Sequence, residues 1–477
     1  MTQAAMHMLS KTTHAFPWDP RSYAAGPVPT WAEWEHLWQL WDAVTRKMIP
    51  DEELIEKPIK LRNACIFYLG HIPTFLDMKL TDTTDGIYTE PSYYSRIFER
   101  GIDPNVDNPE QCHAHSEVPD KWPSLDEILA YQRRVRNRVK CMYDSNASAD
   151  ARIGRTLWLG YEHECMHLET LLYMLIQSDK TLAPPDTPEP TFEALWRSAQ
   201  AQAVPNEWIT VPESSITIGM DDLESTADVS RYFGWDAEKP SSKIHVRAFS
   251  TKARPISIRD YAHYLHETGS EKFPASWSAD ANTNGHTNDN GQSIGEANGH
   301  LKIDSVFLQG KTVKTVYGPV ALAFASEWPV SASYDELLGC AQWMGGRIPS
   351  LEEVRSIYRY AEQSQAAVKN ALNNTIPAVN GHLINDGVEE TPPAGQVTPG
   401  AGAGLNPLDA FVDLKGCNVG FQHWHPTPVT QNGGKLCGQS DMGGVWEWTC
   451  TPLSKHEGFE PMPLYPAYSR PLLHFVP

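Results

Sequence analysis

Apolar positions in the first 180 residues recur at helical spacing. Trp31, Trp34, Trp38 and Trp41 lie three, four and three apart, which makes one face of a helix, with Glu33, Glu35 and Asp42 between them. A second helix is predicted over Leu61 to Leu69, reaching His71. Pro73 is expected to disturb the next turn, because proline lacks the N–H the ladder needs. A third starts near Ser124, carries Asp126 and Glu127 in its first turn, and runs through LDEILAYQRRVRNRV. A fourth begins about Asp150 and contains LGYEHECMHLETLLYMLI. Four long helices with modest connections predict a bundle over residues 20–180.

The texture then changes. TLAPPDTPEPTF is too rich in proline for a continuing helix, so residues 181–206 are predicted to be a linker. Beyond it, ITVPESSITIGM and KIHVRAFS alternate as short strands do. GGRIPSLEEV opens a helix with a capping box formed by Ser350 and Glu353. Polar inserts near 279–300 and 378–404 read as disordered surface excursions. The expected architecture is therefore α+β: a helical bundle, a linker, and a loop-rich second domain over 207–477.

Composition narrows the functional classes. Lys and Arg number 39 against 59 Asp and Glu, a net charge of −20, which disfavours nucleic acid and anionic membranes as partners. No apolar stretch is long enough to cross a bilayer, and Met1 to Phe16 has no apolar signal region, so a cytoplasmic location is expected. The eight cysteines form no CxxC pair, which argues against a disulfide scaffold or zinc knuckle.

The fourth helix carries the chemistry. His163 and His167 stand at i and i+4, so two imidazoles share one face and suit one metal ion. The best third donor is His71, at the end of the apolar run ACIFYLGHIP. Taken alone, His71 reads as a hydrogen-bonded core histidine; for the pair, an accidental or satisfied helix surface is the lesser alternative. The segment also fits HExxH, with Glu164 as the general base of a zinc peptidase. No third histidine comes after it in LETLLYMLIQ, and the next carboxylates, Asp186 and Glu189, fall in the proline-rich segment.

GYEHECMHLETLLYMLIQSDK resembles the iron-binding helix of the sulfoxide synthases of ergothioneine biosynthesis, in their fungal more than their bacterial form. The segments Phe233 to Pro240, Pro255 to Tyr261, Cys340 to Ser350, and Gly443 to Thr449 (GGVWEWT) resemble motifs of the same family. The resemblance spans about residues 15–469. It implies a DinB-like four-helix bundle followed by a formylglycine-generating-enzyme-like (C-type-lectin-like) domain. It also implies iron(II), Fe(2+), held by His71, His163 and His167, with O2 as co-substrate. The implied reaction joins the thiol of cysteine to the imidazole of hercynine (trimethylhistidine) and oxidises the sulfur to a sulfoxide. Glu169 is implied to orient a ligand histidine, and Tyr465, with Tyr468 in reserve, to serve as the tyrosine beside the iron.

The sequence departs from the family at three places. Met166 stands where bacterial members carry a glutamine that can hydrogen-bond substrate. No glycine-rich nucleotide loop is present, so a separate histidine methyltransferase is expected to supply hercynine. The chain ends at RPLLHFVP, short of the family's closing segments, so a C-terminal truncation is expected. Cys417, Cys437 and Cys450 do not reproduce the cysteine pair of formylglycine-generating enzymes. Alternatives are an inactive truncated homologue and a zinc-dependent DinB-like thiol transferase or hydrolase.

Overall fold

The computed structural model describes residues 28–466 except 60–61, 100–101, 105–111, 115–118, 223–232, 280–304, 376–417, 419–420, 422, 430–443, 453 and 455. Both polar inserts lie outside the described residues, apart from Ala279. In chain order the elements are α1 (Trp31–Ala43), α2 (Cys65–Thr84), α3 (Tyr94–Ile97), β1 (Ile102–Pro104), β2 (Cys112–Ala114), α4 (Leu125–Asp144) and α5 (Ala151–Leu175). They continue with α6 (Phe192–Gln202), β3 (Trp208–Val211), β4 (Ser214–Ile218), β5 (Ser242–Val246), β6 (Phe249–Lys252), α7 (Ile258–Glu267) and β7 (Trp277–Ala279). The last are α8 (Ser305–Leu308), β8 (Lys311–Thr315), β9 (Gly318–Ala321), α9 (Tyr334–Trp343) and α10 (Leu351–Thr375).

Helices α1, α2, α4 and α5 form the N-terminal bundle. Their starts derive from capping chemistry. Thr30 and Glu33 cap α1 reciprocally, Ser124 and Glu127 do the same for α4, and Asp150 accepts from the Arg152 and Ile153 amides at the head of α5. The tryptophan stripe of α1 is the expected buried face: Trp34 and Trp41 are fully enclosed, while Trp31 packs at the edge of the same core.

Helix α2 corrects one expectation, because it does not stop at Pro73. It runs on to Thr84 and is buried on nearly every face. Packing against α4 and α5 outweighs the roughly 3 kcal/mol that an internal proline costs. A charged network fixes α2 to α4. Buried Asp77 pairs with Arg138 at 2.7 Å, and also accepts from the Thr89 amide at 2.8 Å and the Thr89 hydroxyl at 2.5 Å.

The second unit is built from small antiparallel sheets. β3 pairs β6, β4 pairs β5, and β7, β8 and β9 form a meander. Its core sets Ile258, Tyr261 and Leu265 of α7 against Trp277, Val313, Val320, Trp328 and Cys340. The capping box at Ser350 and Glu353 forms as the spacing implied.

The segment expected as a linker holds α6. Phe192 enters the second core, the Trp196 indole donates to Ser326, and Gln200 donates to Glu327. The prolines of residues 184–190 precede this helix and obscure its short apolar period. No helix among the described residues is long and apolar enough to cross a membrane.

The two units are joined by a buried clamp. Arg155 of α5 donates twice to Asp222, at 2.6 Å each, and both side chains are almost fully enclosed. Asp222 also accepts from the Gly234 amide at 3.0 Å. The Arg155 guanidinium lies 4.2 Å from the centre of the Phe233 ring. Around the clamp, Phe75, Trp158 and Leu159 of the bundle share one apolar cluster with Phe233 and Met462 of the second unit.

Candidate metal centre

His71 projects from α2, and His163 and His167 from successive turns of α5. The two helices approach closely where Gly160 faces Leu76. A Cβ added at Gly160 would stand 2.5 Å from Leu76 Cδ1, so a larger residue would push the helices apart. The three rings converge, with centroids 5.0 Å apart for His71 and His163, 4.9 Å for His71 and His167, and 4.5 Å for His163 and His167. One nitrogen from each lies within 4.8 Å of the others, a spacing that a single ion could bridge.

Each ring is held. His71 Nδ1 lies 2.7 Å from the Phe98 carbonyl, which fixes that nitrogen as the donor and leaves Nε2 as the lone-pair end. Phe98 can reach this point because its ring lies over Gly70, where a Cβ would clash with it. His71 stacks on Phe67 with centroids 5.1 Å apart, and His163 stacks on Phe75 at 3.7 Å. His71 is therefore both the hydrogen-bonded core histidine and a member of the triad.

The donor set fits a transition metal. Burial drags the imidazole of His71 down to about 4, against the weaker upward pull of its bond to Phe98. Burial also takes His163 and His167 well below the ordinary value. Neighbouring imidazoles add to this in both, and the Lys79 ammonium adds to it for His163. Three neutral imidazoles thus face one point, and the buried Nδ1 atoms of His163 and His167 have no hydrogen-bond partner among the described residues.

A pH dependence results. The folded state of His71 disfavours the proton, so its stabilising contribution is complete above the unfolded value near 6.5. That contribution is lost as pH falls through about 4. For His71 alone the swing is about 3 kcal/mol. The metal-free protein is expected to lose urea resistance across this window, and a His71→Asn variant to show a shallower loss.

Glu164 faces away from the triad. Its carboxyl is buried toward α1 and α4, where the Trp38 indole donates to it. Burial pushes it up to about 7 against the pull of Arg136, so its contribution is present below about 4.5 and lost as pH rises through about 7. Held by Trp38 and in the field of Arg136 and Asp42, the carboxyl is turned away from the triad and so from the general-base role of a zinc peptidase. Glu164→Gln is expected to raise stability above pH 7 by on the order of 1–3 kcal/mol and to leave metal uptake intact. Loss of metal in a stability assay that shows the folded variant would revive the peptidase reading.

Glu169 is exposed, and no hydrogen bond links it to Nδ1 of His163 or His167. Tyr465 comes from the second unit and packs edge-on against Phe75 at 5.0 Å, so one ring separates it from His163. Tyr468 lies outside the described residues. Sequence reasoning missed the Phe98 carbonyl, Phe75 and Lys79. The last two were accessible, because they lie one and two helical steps of four residues beyond His71.

Comparison with known proteins agrees with this two-part construction. Residues 32–171 match the DinB superfamily, and residues 197–469 match the sulfatase-modifying factor enzyme 1-like domain. The chain is 50% identical over 480 residues to ergothioneine biosynthesis protein 1 of Neurospora crassa, covering 97% of this chain and 55% of that one. It is 30% identical over 475 residues to the protein of the same name in Schizosaccharomyces pombe, covering 93% and 50%. It is 25% identical over 239 residues to hercynine oxygenase of Mycobacterium tuberculosis, covering 50% and 45%. The chain spans about half the length of these curated relatives. With its second unit matched from residue 197 to 469 behind a DinB-superfamily bundle, the chain belongs to the sulfatase-modifying factor enzyme 1-like family and is a homologue of ergothioneine biosynthesis protein 1.

Proposed function

We propose that the chain is an iron(II)- and O2-dependent oxidoreductase of ergothioneine biosynthesis, joining cysteine to hercynine as a sulfoxide. The observation that carries this is the buried cluster of three neutral imidazoles at the junction of the two units, with Tyr465 of the second unit one ring away. The names of the relatives supply the substrate class.

The overall reaction balances as one imidazole C–H, one S–H and O2 giving a C–S bond, one S=O and water. The metal, when bound, supplies the one-electron chemistry with dioxygen and a place for sulfur. His71, His163 and His167 would hold it through neutral nitrogens, leaving the remaining positions for substrates. Phe67 and Phe75 keep water from the histidine faces and fix the ring planes. Tyr465, packed on the Phe75 ring that stacks on His163, would deliver a proton as oxygen is reduced. The Arg155–Asp222 clamp holds the second unit, and with it Tyr465, against the bundle.

Two comparisons test this. The first loads the protein with iron(II) or with zinc and supplies hercynine and cysteine under air or nitrogen, with mass spectrometry of the products. Sulfoxide is expected only with iron and air. Turnover with zinc under nitrogen would support a thiol transferase or hydrolase instead. The second is Tyr465→Phe, expected to keep iron binding and lower sulfoxide formation roughly a hundredfold. Unchanged turnover would remove Tyr465 from the reaction.

A further inference from the structure

Helix α2 carries a stripe of three residues on one face, His71, Phe75 and Lys79, each four positions from the last. The stripe begins at the metal centre and ends in an ammonium group. Lys79 Nζ lies 4.9 Å from the centre of the Tyr465 ring and 5.7 Å from that of Phe75. It is therefore against the ring that stacks on His163 and the ring packed on that one, at the boundary between the two units.

Its environment differs from that of the other cations in the bundle interior. Arg136, Arg138 and Arg155 each pair with a carboxylate at 2.6–2.8 Å. No carboxylate among the described residues lies within ion-pair distance of Lys79. Asp82 and Glu99 act on it only through longer-range fields. The side chain is half-buried, and burial pulls its ammonium down from the ordinary value. A charge with part of its water removed and no close counter-charge is stabilised by an anion that arrives with the ligand.

Building on the proposed substrates, we infer that Lys79 binds the α-carboxylate of an amino-acid substrate and so orients it between the triad and Tyr465. Hercynine and cysteine both carry that group. The Phe75 and Tyr465 rings carry no charge, so beside them Lys79 is the cation that a substrate carboxylate can face, apart from the charge a metal brings to the triad. The distance along the stripe sets the reach. Two helical steps of four residues at 1.5 Å per residue place Lys79 about 12 Å of helix axis beyond His71. Its four-carbon stem shortens that gap toward the metal centre.

The test is calorimetric binding of hercynine and of cysteine, separately, to the iron(II)-loaded full chain without oxygen. It is run on the natural protein, Lys79→Met and Lys79→Arg. Lys79→Met keeps the buried stem and removes the charge. Binding of one of the two amino acids is expected to weaken about ten- to a hundredfold, with the other and iron uptake unchanged. Which one weakens identifies the carboxylate. Lys79→Arg is expected to restore most of the affinity. Trimethylhistamine and cysteamine, which lack the carboxylate, are expected to bind the natural protein and Lys79→Met equally. Unchanged binding of both amino acids to Lys79→Met would overturn the inference. So would an equal loss for the carboxylate-free analogues, which marks a structural role. If the natural protein takes up iron but binds neither amino acid, the substrate reading fails, and the inference falls with it.

Discussion

Replacing His163 with alanine is expected to abolish iron uptake and sulfoxide formation, with product falling at least a thousandfold. Three imidazoles are all that the described residues gather at this point, so removing one leaves a two-ligand site. His163 is the more telling choice than His167. It is almost fully buried, stacks on Phe75, and neighbours both other rings. The apo fold should survive, because His163 Nδ1 has no hydrogen-bond partner among the described residues to lose. The shortened side chain leaves a cavity beside Phe75, at a cost of about 1–3 kcal/mol. Metal content by elemental analysis, alongside circular dichroism, separates loss of metal from loss of fold. Full metal content with normal turnover would show that the triad is not the site.

Breaking the clamp is expected to have the second largest effect. Arg155→Met leaves Asp222 buried with, among the described residues, the Gly234 amide and the Lys239 ammonium at 3.9 Å to hold its charge. A loss of about 3–5 kcal/mol in denaturant unfolding is expected. The double change Arg155→Met with Asp222→Leu should recover much of it, because no charge is then stranded. The functional signature is more specific than the stability loss. The triad lies wholly within the bundle, so iron should still bind to Arg155→Met. Tyr465 and Met462 belong to the other unit, so turnover should collapse while metal content stays. Retained turnover would mean that the clamp does not set the position of Tyr465.

Much of the fold was legible because it rests on local rules. The tryptophan stripe fixed the buried face of α1, and the Ser124, Asp150 and Ser350 caps fixed helix starts to within a residue. The i, i+4 histidines are a one-helix pattern, readable for the same reason. The harder features depend on long-range packing. Pro73 looked like a stop because its cost is local, whereas the burial that overrides it comes from helices far along the chain. Helix α6 was concealed by the prolines before it, and its partners, Ser326 and Glu327, are more than a hundred residues away. The Arg155–Asp222 pair joins residues 67 positions apart and carries no sequence signature. His71 was placed with the pair first as the best third donor on a facing helix and then by resemblance. What the structure adds is the Phe98 carbonyl that orients it, a main-chain group no motif could name.

The decisive question is whether this three-histidine centre performs oxygen-dependent sulfur transfer. The most direct measurement is a single turnover of the iron(II)-loaded full chain with hercynine and cysteine, started by adding isotopically heavy dioxygen and read by mass spectrometry. The predicted result is hercynylcysteine sulfoxide carrying one heavy oxygen, formed in proportion to bound iron and absent with His163→Ala. An iron-saturated protein that yields no adduct, or an adduct without oxygen from the added gas, would contradict it.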